Sequence, residues 1–290
     1  MKTWERNLSI ICVGLFFSSA GLSAVVPFLP LFIRDLGVTE VSDTAFWSGL
    51  VFAGPFIISF FTTSIWGSLG DKYGRKLMTL RAIFGLSIAM MLTSTAQNEY
   101  QLFLFRLLQG ALSGFYPAAI GLIGANTPKE KVGYALGLTQ SAYTAGNIFG
   151  PLIGGLISNV LGFRNVFLVI GALIFLVGIV TFFLMKEETK PAPNEPRHNF
   201  LDNWKYLFTN KILLRVSLLI LLTSFGVQLI SPIFVLYIET FSIDEKSLPL
   251  VTGVLFSILG IFSTISAAWL GSRIDKTGIR KNLLIATAIT

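Results

Sequence analysis

Long apolar segments separated by short polar turns fill most of this chain. A membrane-spanning helix needs about 20 mostly apolar residues, and eight segments reach that length. They lie near Leu8–Ile33, Phe46–Trp66, Leu77–Gln97, Gln101–Gly124, Gly133–Val160, Val166–Met185, Ile212–Ile238 and Leu248–Leu270. A ninth begins at Asn282 and continues to the last residue, Thr290. The pattern predicts an all-α membrane protein, and because the chain stops inside an apolar segment we expect a C-terminally truncated sequence.

One motif occurs twice, after the second and the eighth apolar segments. The first copy reads GSLGDKYGRK at 67–76 and the second reads GSRIDKTGIRK at 271–281. A motif repeated in equivalent places predicts a bundle of two similar halves, the internal duplication that is typical of membrane transporters. The positions shared by the two copies are Gly67, Asp71, Gly74, Arg75 and Lys76 in the first, and Gly271, Asp275, Gly278, Arg280 and Lys281 in the second.

A charged, proline-rich stretch, KEETKPAPNEPRH at 186–198, follows the sixth apolar segment. Such a composition cannot bury enough apolar surface to fold alone. We therefore expect a complete six-helix N-terminal bundle at 1–185, a cytoplasmic linker at 186–211, and the first two to three helices of a C-terminal bundle at 212–290.

The first apolar segment also has features of a secretory signal peptide, because Lys2 and Arg6 precede its apolar core. We favour a retained helix. The stretch VVPFLPLFI at 25–33 has a later counterpart, PIFVLYI at 232–238, and a cleaved leader would have no reason to match a segment of the mature protein.

Charge and composition narrow the function classes. Hydrophobic residues make up 53% of the chain and charged residues 13%, against about 25% charged in soluble domains. The net charge of +7 could indicate nucleic-acid binding, but the basic residues recur in alternate turns between apolar segments. That distribution is typical of cytoplasmic loops. It predicts a multi-pass membrane protein with a cytoplasmic N-terminus and no nucleic-acid partner.

Residues suited to catalysis or metal binding are scarce. Cys12 and His198 are the only cysteine and histidine, which argues against a zinc site or a histidine base. No phosphate-binding GxxxxGK[ST] loop occurs. We predict a protein that is not an enzyme, with no catalytic residues, metal or cofactor; a membrane enzyme or receptor is a remote alternative.

Two further motifs complete a family resemblance. They are RLLQG at 106–110 in the fourth segment and GNIFGPLIGG at 146–155 in the fifth. With these and the repeated motif, the whole chain resembles the twelve-helix drug:proton antiporter group of the major facilitator superfamily. The resemblance implies a monomeric secondary transporter that exports diverse small molecules across the bilayer in exchange for protons. A proton-coupled uptake carrier for a small metabolite is the alternative.

The resemblance also implies roles for the motif residues. The repeated motif is expected to latch the cytoplasmic gate, with Asp275 approaching the start of the fifth helix and Asp71 facing either Arg81 or a helix N-terminus. Arg106, with Gln109 on the same helix face, is expected to serve proton coupling, although it could instead snorkel to the membrane surface. Because no acid lies mid-segment, the proton-exchanging carboxylate is expected to be Asp35, Glu239, Asp71 or a residue of the absent C-terminal helices, with Asp35 ranked first.

The fifth segment and the substrate path complete the predicted site. Small residues recur every four positions and permit close helix packing, and the resemblance marks this string as the exporter motif, with plain packing as the simpler interpretation. Its members are Gly146, Gly150, Pro151, Gly154 and Gly155. Aromatic and amide side chains suited to varied ligands are expected to line a path between the halves: Phe28, Tyr116, Gln140, Tyr143, Asn147 and Gln228.

Overall fold

A computed structural model describes residues 3–186, 206, 208–241 and 247–277. Within these ranges the side chains of 71, 220, 223–224, 227–233, 235–236, 239, 263 and 266–277 lie outside the description. The ninth predicted segment also lies outside the described residues.

Ten α-helices make up the described part of the chain. Their bounds are α1 Thr3–Ala24, α2 Leu29–Asp35, α3 Val41–Tyr73, α4 Arg75–Ser94, α5 Glu99–Ala111, α6 Phe115–Asn126, α7 Val132–Leu161, α8 Phe163–Leu184, α9 Lys211–Glu239 and α10 Leu248–Thr277, with 3₁₀ turns at Val26–Phe28 and Lys129–Lys131. Helices suit lipid because they satisfy their backbone hydrogen bonds internally.

Six units of this part are long and apolar enough to cross a membrane: Thr3–Asp35, Val41–Gly70, Arg75–Ser94, Glu99–Asn126, Lys129–Leu161 and Phe163–Leu184. They match the first six predicted segments, and α9 and α10 coincide with the seventh and eighth. The all-helical membrane fold is therefore confirmed.

The first copy of the repeated motif is mostly helix. We expected Gly67, Gly70 and Gly74 to form a turn between two segments, but α3 continues through the first two and ends only at Tyr73. Gly74 then takes a φ of +101°, a conformation that side chains with a Cβ rarely adopt. Its N–H donates to the Gly70 carbonyl at 3.0 Å, so one glycine suffices to end α3 and begin α4. We call this end of the bundle the motif end.

The fourth predicted segment is broken in the middle. Gly114, with a φ of +111°, separates α5 from α6. Pro117 is the third residue of α6, where a helix N–H has no intrahelical acceptor, so proline is tolerated at this new helix start. The positive φ at Gly114 accounts for the interruption, which the apolar pattern alone did not predict.

Backbone-to-backbone contact joins α7 to α1. The small-residue face of α7 carries Gly146, Gly150 and Gly154. A methyl group added at Gly150 would lie 2.5 Å from the carbonyl oxygen of Ala20, and one at Gly154 would lie 2.5 Å from that of Ala24. No side chain fits at these positions, so the spacing of four residues serves close packing of the fifth span on the first.

A neighbouring face of α7 packs against α10. A methyl group at Gly155 would lie 2.6 Å from the Pro249 carbonyl oxygen, and one at Gly253 would lie 2.4 Å from the Pro151 carbonyl oxygen. These contacts join the C-terminal part of α7 to the N-terminal part of α10, at the end of the bundle opposite the motif end. There, α7 is held between α1 and α10.

Replacing Gly150 by alanine should destabilise the protein by about 1–3 kcal/mol, because the added methyl group has to displace the backbone of α1. Gly137→Ala is the matched control: it lies on the same helix, with no described heavy atom within 4 Å of an added Cβ. Thermal unfolding of the purified variants in detergent measures both. Equal stability of the two variants would contradict this packing.

Candidate functional site

A cavity of about 510 Å³ lies in the middle of the helix bundle. Helices α1, α3, α4, α5, α6 and α7 form its wall, and α10 contributes Phe256. Aromatic and aliphatic side chains share the wall with many hydroxyl groups, and Arg106 is its one charged residue among those described. The polar lining residues are Ser18, Ser19, Ser23, Ser59, Thr63, Arg106, Gln109, Ser113, Tyr116, Tyr143 and Asn147.

Arg106 is buried at the cavity wall, with 3% of its surface exposed. Its Nε donates to the Val51 carbonyl of α3 at 3.3 Å. Its Nη1 donates to Oε1 of Gln109, one turn later on α5, at 2.7 Å. The side chain therefore turns inward rather than snorkelling to the surface, and the predicted pair of Arg106 and Gln109 is brought together by a direct hydrogen bond.

The acceptor on α3 is available because of a proline. Pro55 has no N–H, so it cannot donate to the Val51 carbonyl four residues before it, as a helical residue otherwise would. The Arg106 Nε–H takes the place of that donor. This contact is possible because α5 lies close to α3: a methyl group at Gly110 would lie 2.3 Å from the Pro55 carbonyl oxygen. Pro55 thus prepares the anchoring point of the buried arginine.

Arg81 of α4 makes the same kind of contact at the break in the fourth span. Its Nη2 donates to the Ser113 carbonyl at 3.0 Å, which lies in the break between α5 and α6 and has no helical donor. Its Nη1 donates to the Leu112 carbonyl at 3.1 Å, and its guanidinium carbon lies 3.7 Å from the ring centroid of Trp66, a stacked cation–π arrangement. Arg81 thus ties the start of α6 to α4.

Trp66 and Thr62, both on α3, provide further donors at the same break. The indole Nε1 of Trp66 donates to the Ala111 carbonyl at 2.8 Å, and the Thr62 hydroxyl donates to the Gly110 carbonyl at 3.3 Å. An unpaired carbonyl in a membrane costs several kcal/mol. Polar side chains of the second and third spans therefore stabilise the interrupted fourth span.

Arg75 and Lys76 of the first motif copy also bind backbone carbonyls. Arg75 donates to the Gly121 carbonyl of α6. Lys76 donates to the carbonyls of Phe182 at 3.2 Å and Met185 at 2.5 Å, at the C-terminal end of α8. A cation is favourable there because the end of a helix carries a partial negative charge. Within the first half, the motif joins α4 to α6 and α8.

The acidic residues of the two motif copies remain predictions. The side chain of Asp71 lies outside the described residues, so neither of its expected partners is tested. Gly271 and Asp275 lie within α10, whose side chains from 266 onward are likewise not described. Gly278, Arg280 and Lys281 follow the described part of α10.

Three of the predicted path residues line the cavity: Tyr116, Tyr143 and Asn147. The rings of Tyr116 and Tyr143 lie 4.6 Å apart between centroids, and the Asn147 amide donates to the Tyr143 carbonyl at 3.1 Å. Gln140 accepts a hydrogen bond from the Tyr116 hydroxyl and donates to Thr144 at 3.3 Å. These contacts form one polar and aromatic wall between α6 and α7.

Phe28 does not line the cavity. It is fully buried, stacked on Phe163 at 5.6 Å and edge-on to Phe167 at 6.3 Å between ring centroids. Phe28 packs against α8, so it is a packing residue, although we expected it to line the substrate path. The side chain of Gln228 lies outside the described residues.

Asp35 lies apart from Arg106. It is exposed at the C-terminal end of α2, and none of the described residues that line the cavity is acidic. Within the exporter motif, Pro151 reaches the cavity wall, whereas the glycines pack on α1 and α10.

Sequence reasoning missed Pro55, Trp66 and Pro117. A proline inside a helix marks an open carbonyl one turn earlier, and that signal was available for Pro55, whereas Pro117 marks the start of a helix. The partner of each open carbonyl belongs to another helix, however, and no spacing along the chain predicts it.

Comparison with known proteins gives the family. The family model described as Major Facilitator Superfamily matches residues 11–290. The chain is 35% identical over 287 residues to the multidrug resistance protein MdtG of Salmonella typhimurium, covering 99% of this chain and 71% of that protein. It is 36% identical to MdtG of Klebsiella pneumoniae, covering 99% of this chain and 70% of that protein.

Solved structures share the fold. A bacterial homologue of the human lysosomal transporter Spinster, inward-facing and unoccupied, superposes with a TM-score of 0.74 at 16% identity, over 94% of this chain and 64% of its own. A D-xylose–proton symporter gives 0.64 at 14% identity, over 95% of this chain and 70% of its own. This chain thus spans about two thirds of the length of the proteins it matches. By the matched family model, the helical fold and the MdtG relatives, the chain belongs to the major facilitator superfamily and is a multi-pass membrane transporter, not an enzyme.

Proposed function

We propose that the protein exports structurally varied small molecules from the bacterial cytoplasm in exchange for protons. The central cavity is the observation on which this proposal rests. It lies between the first five spans and α10 and combines an aromatic wall with hydroxyl groups and one buried arginine, as a site for varied ligands requires. The similarity to proteins named for multidrug resistance, over 99% of the chain, favours drugs as the substrates.

Proton coupling is assigned to Arg106 and Gln109. An intramembrane cation is costly unless it is functional and has partners, and Arg106 has both a backbone and a side-chain partner beside the cavity. The carboxylate that exchanges the proton lies outside the described cavity wall. Asp35, exposed at the end of α2, remains our first candidate for that role.

We assign the outer gate to the contact between α7 and α10. Their contacts, from Gly155 to Pro249 and from Gly253 to Pro151, close the bundle at the end opposite the motif end. If the basic motif end is cytoplasmic, as loop charges favour, the described arrangement is closed toward the outside. Release of the substrate then requires α7 and α10 to separate while the two motif copies latch the cytoplasmic end.

Two bundles moving about a linker suit this mechanism. We assign 1–185 to one bundle, 186–211 to the linker and 212–290 to the start of the other, in an inner-membrane protein that acts as a monomer with a cytoplasmic N-terminus. Asn7 supports the first boundary: its amide donates to the Lys186 carbonyl at 2.6 Å and accepts from the Lys186 N–H at 3.2 Å. The chain thus leaves the first bundle from a fixed point beside α1.

Expression in a pump-deficient bacterial strain should lower the accumulation of a fluorescent dye such as Nile red, a neutral aromatic molecule with a carbonyl oxygen. Collapsing the proton gradient with a protonophore should abolish that effect, because inward proton movement drives export. Dye fluorescence in whole cells measures both. Accumulation that rises with expression would favour the uptake carrier, and export that survives the protonophore would contradict proton coupling.

Asp275→Asn should impair export without preventing membrane insertion. The neutral amide loses its attraction to the positive N-terminal end of α7, worth about 0.3–2 kcal/mol, and so shifts the balance between the two gate states. Gly133 and Gly137 leave that end of α7 open among the described residues. Dye extrusion in everted vesicles is the measurement, with Asp43→Asn at the opposite end of the bundle as control. Equal extrusion by both variants would refute the latch.

A further inference from the structure

The amide nitrogen of Gln109 is a buried donor without a described partner. Gln109 is 1% exposed and lines the central cavity. Its Nε2 has no hydrogen-bond partner among the described residues, whereas its Oε1 accepts from Arg106 at 2.7 Å. A buried donor left without an acceptor is costly, so this position calls for an acceptor that the described structure does not itself supply.

The orientation of that amide is fixed by its neighbours. Arg106 can only donate, so it holds the oxygen of Gln109 and leaves the nitrogen facing away from it. Arg106 is itself held by the Val51 carbonyl, which Pro55 leaves open. A flip of the amide would place two donors against each other. The contacts among Pro55, Val51 and Arg106 therefore hold the Gln109 amide with its N–H group facing away from Arg106.

A second polar atom on the same cavity lacks a partner. Ser18 on α1 is 5% exposed and lines the cavity. Its hydroxyl has no described hydrogen-bond partner. Ser19 and Ser23, on the same helix, donate instead to backbone carbonyls of α1, Leu15 at 2.7 Å and Ser19 at 3.0 Å. Ser18 thus differs from its neighbours in keeping its hydroxyl available to the cavity.

We propose that the Gln109 amide N–H binds an acceptor oxygen of the transported molecule, with the Ser18 hydroxyl as a second polar contact to that molecule. The ligand class is a small aromatic molecule that carries a carbonyl, sulfonyl, phosphoryl or carboxylate oxygen. An ammonium group is disfavoured because Arg106 is the charged neighbour. This assignment rests on the proposed function, since it names the molecule that the same cavity carries.

Two neutral probes isolate the acceptor oxygen. N-(1-naphthyl)benzamide and N-benzyl-1-naphthylamine differ in having a carbonyl or a methylene group between the same two ring systems. We expect the wild-type protein in nanodiscs to bind the amide about three- to tenfold more tightly than the amine, the value of one hydrogen bond to a buried donor. Fluorescence titration, with empty nanodiscs subtracted, gives the two dissociation constants.

Gln109→Met should bring the ratio of the two constants close to one, because methionine keeps the length of the side chain and has no N–H. Gln101→Met is the matched control: it makes the same change two turns earlier on α5, outside the cavity wall, and should leave the wild-type ratio. A ratio that persists in Gln109→Met overturns the proposal. So does a wild-type protein that binds both probes equally or binds neither.

Pro55→Ala tests the orienting contacts separately. Alanine restores the helical N–H to the Val51 carbonyl, so Arg106 loses its anchor and the ratio should fall toward one with Gln109 still present. Pro30→Ala, in the first turn of α2 and outside the cavity wall, leaves the Val51 carbonyl to Arg106 and should preserve the ratio. An unchanged ratio in Pro55→Ala would refute the role of Pro55. Binding in nanodiscs is measured without a proton gradient. The probe ratio can therefore fail while proton-driven export in cells is observed, and the reverse, so the two tests are separate.

Discussion

Open backbone carbonyls are the constraint on which this structure depends. Each proline within a membrane helix removes one N–H, and no water is present in lipid to replace it. Arg106 takes the carbonyl opened by Pro55, and Arg81 takes carbonyls left open at the break between α5 and α6. Both arginines are thereby held at defined places in an apolar bundle, one at the cavity and one at the break in the fourth span. The cost of the broken helices and the cost of the buried cations offset each other.

Close helix packing adds the second requirement. The glycines of α7 let its backbone touch α1 on one face and α10 on another, so this helix belongs to the packing of the first bundle and also contacts the second. A transporter needs one rigid set of contacts and one that can separate. The α7–α1 contact runs along Gly146, Gly150 and Gly154, whereas the α7–α10 contact extends from Gly155 and Pro249, at the end opposite the motif, to Ile148 and Gly260 near the middle of both helices. Under the proposed mechanism, the segment at 146–155 lies where the two moving halves meet.

The sequence predicted the architecture better than the site. Apolar segment lengths determine spans in lipid, so the six spans were placed within a few residues, and the pair of Arg106 and Gln109 followed from their spacing on one helix. The breaks at Gly74 and Gly114 needed backbone dihedrals, which apolar periodicity does not specify. Phe28 was misplaced because a lipid-embedded aromatic packs on a neighbouring helix as readily as it lines a path. The donors for open carbonyls come from other helices and are set by tertiary packing.

Double-mutant cycles test the pairing of Pro55 with Arg106 most directly. Pro55→Ala would be combined with Arg106→Leu and, as a control, with Arg81→Leu; Pro117→Ala with Arg106→Leu is a second control. The free energy of unfolding is measured for every variant in detergent. Removing only Pro55 leaves a buried cation without its acceptor, removing only Arg106 leaves a buried carbonyl open, and removing both leaves neither. We predict coupling of about 1 kcal/mol or more for Pro55 with Arg106, and additivity within about 0.5 kcal/mol for the two control combinations. Equal coupling in all three combinations, or additivity in all three, would contradict the pairing.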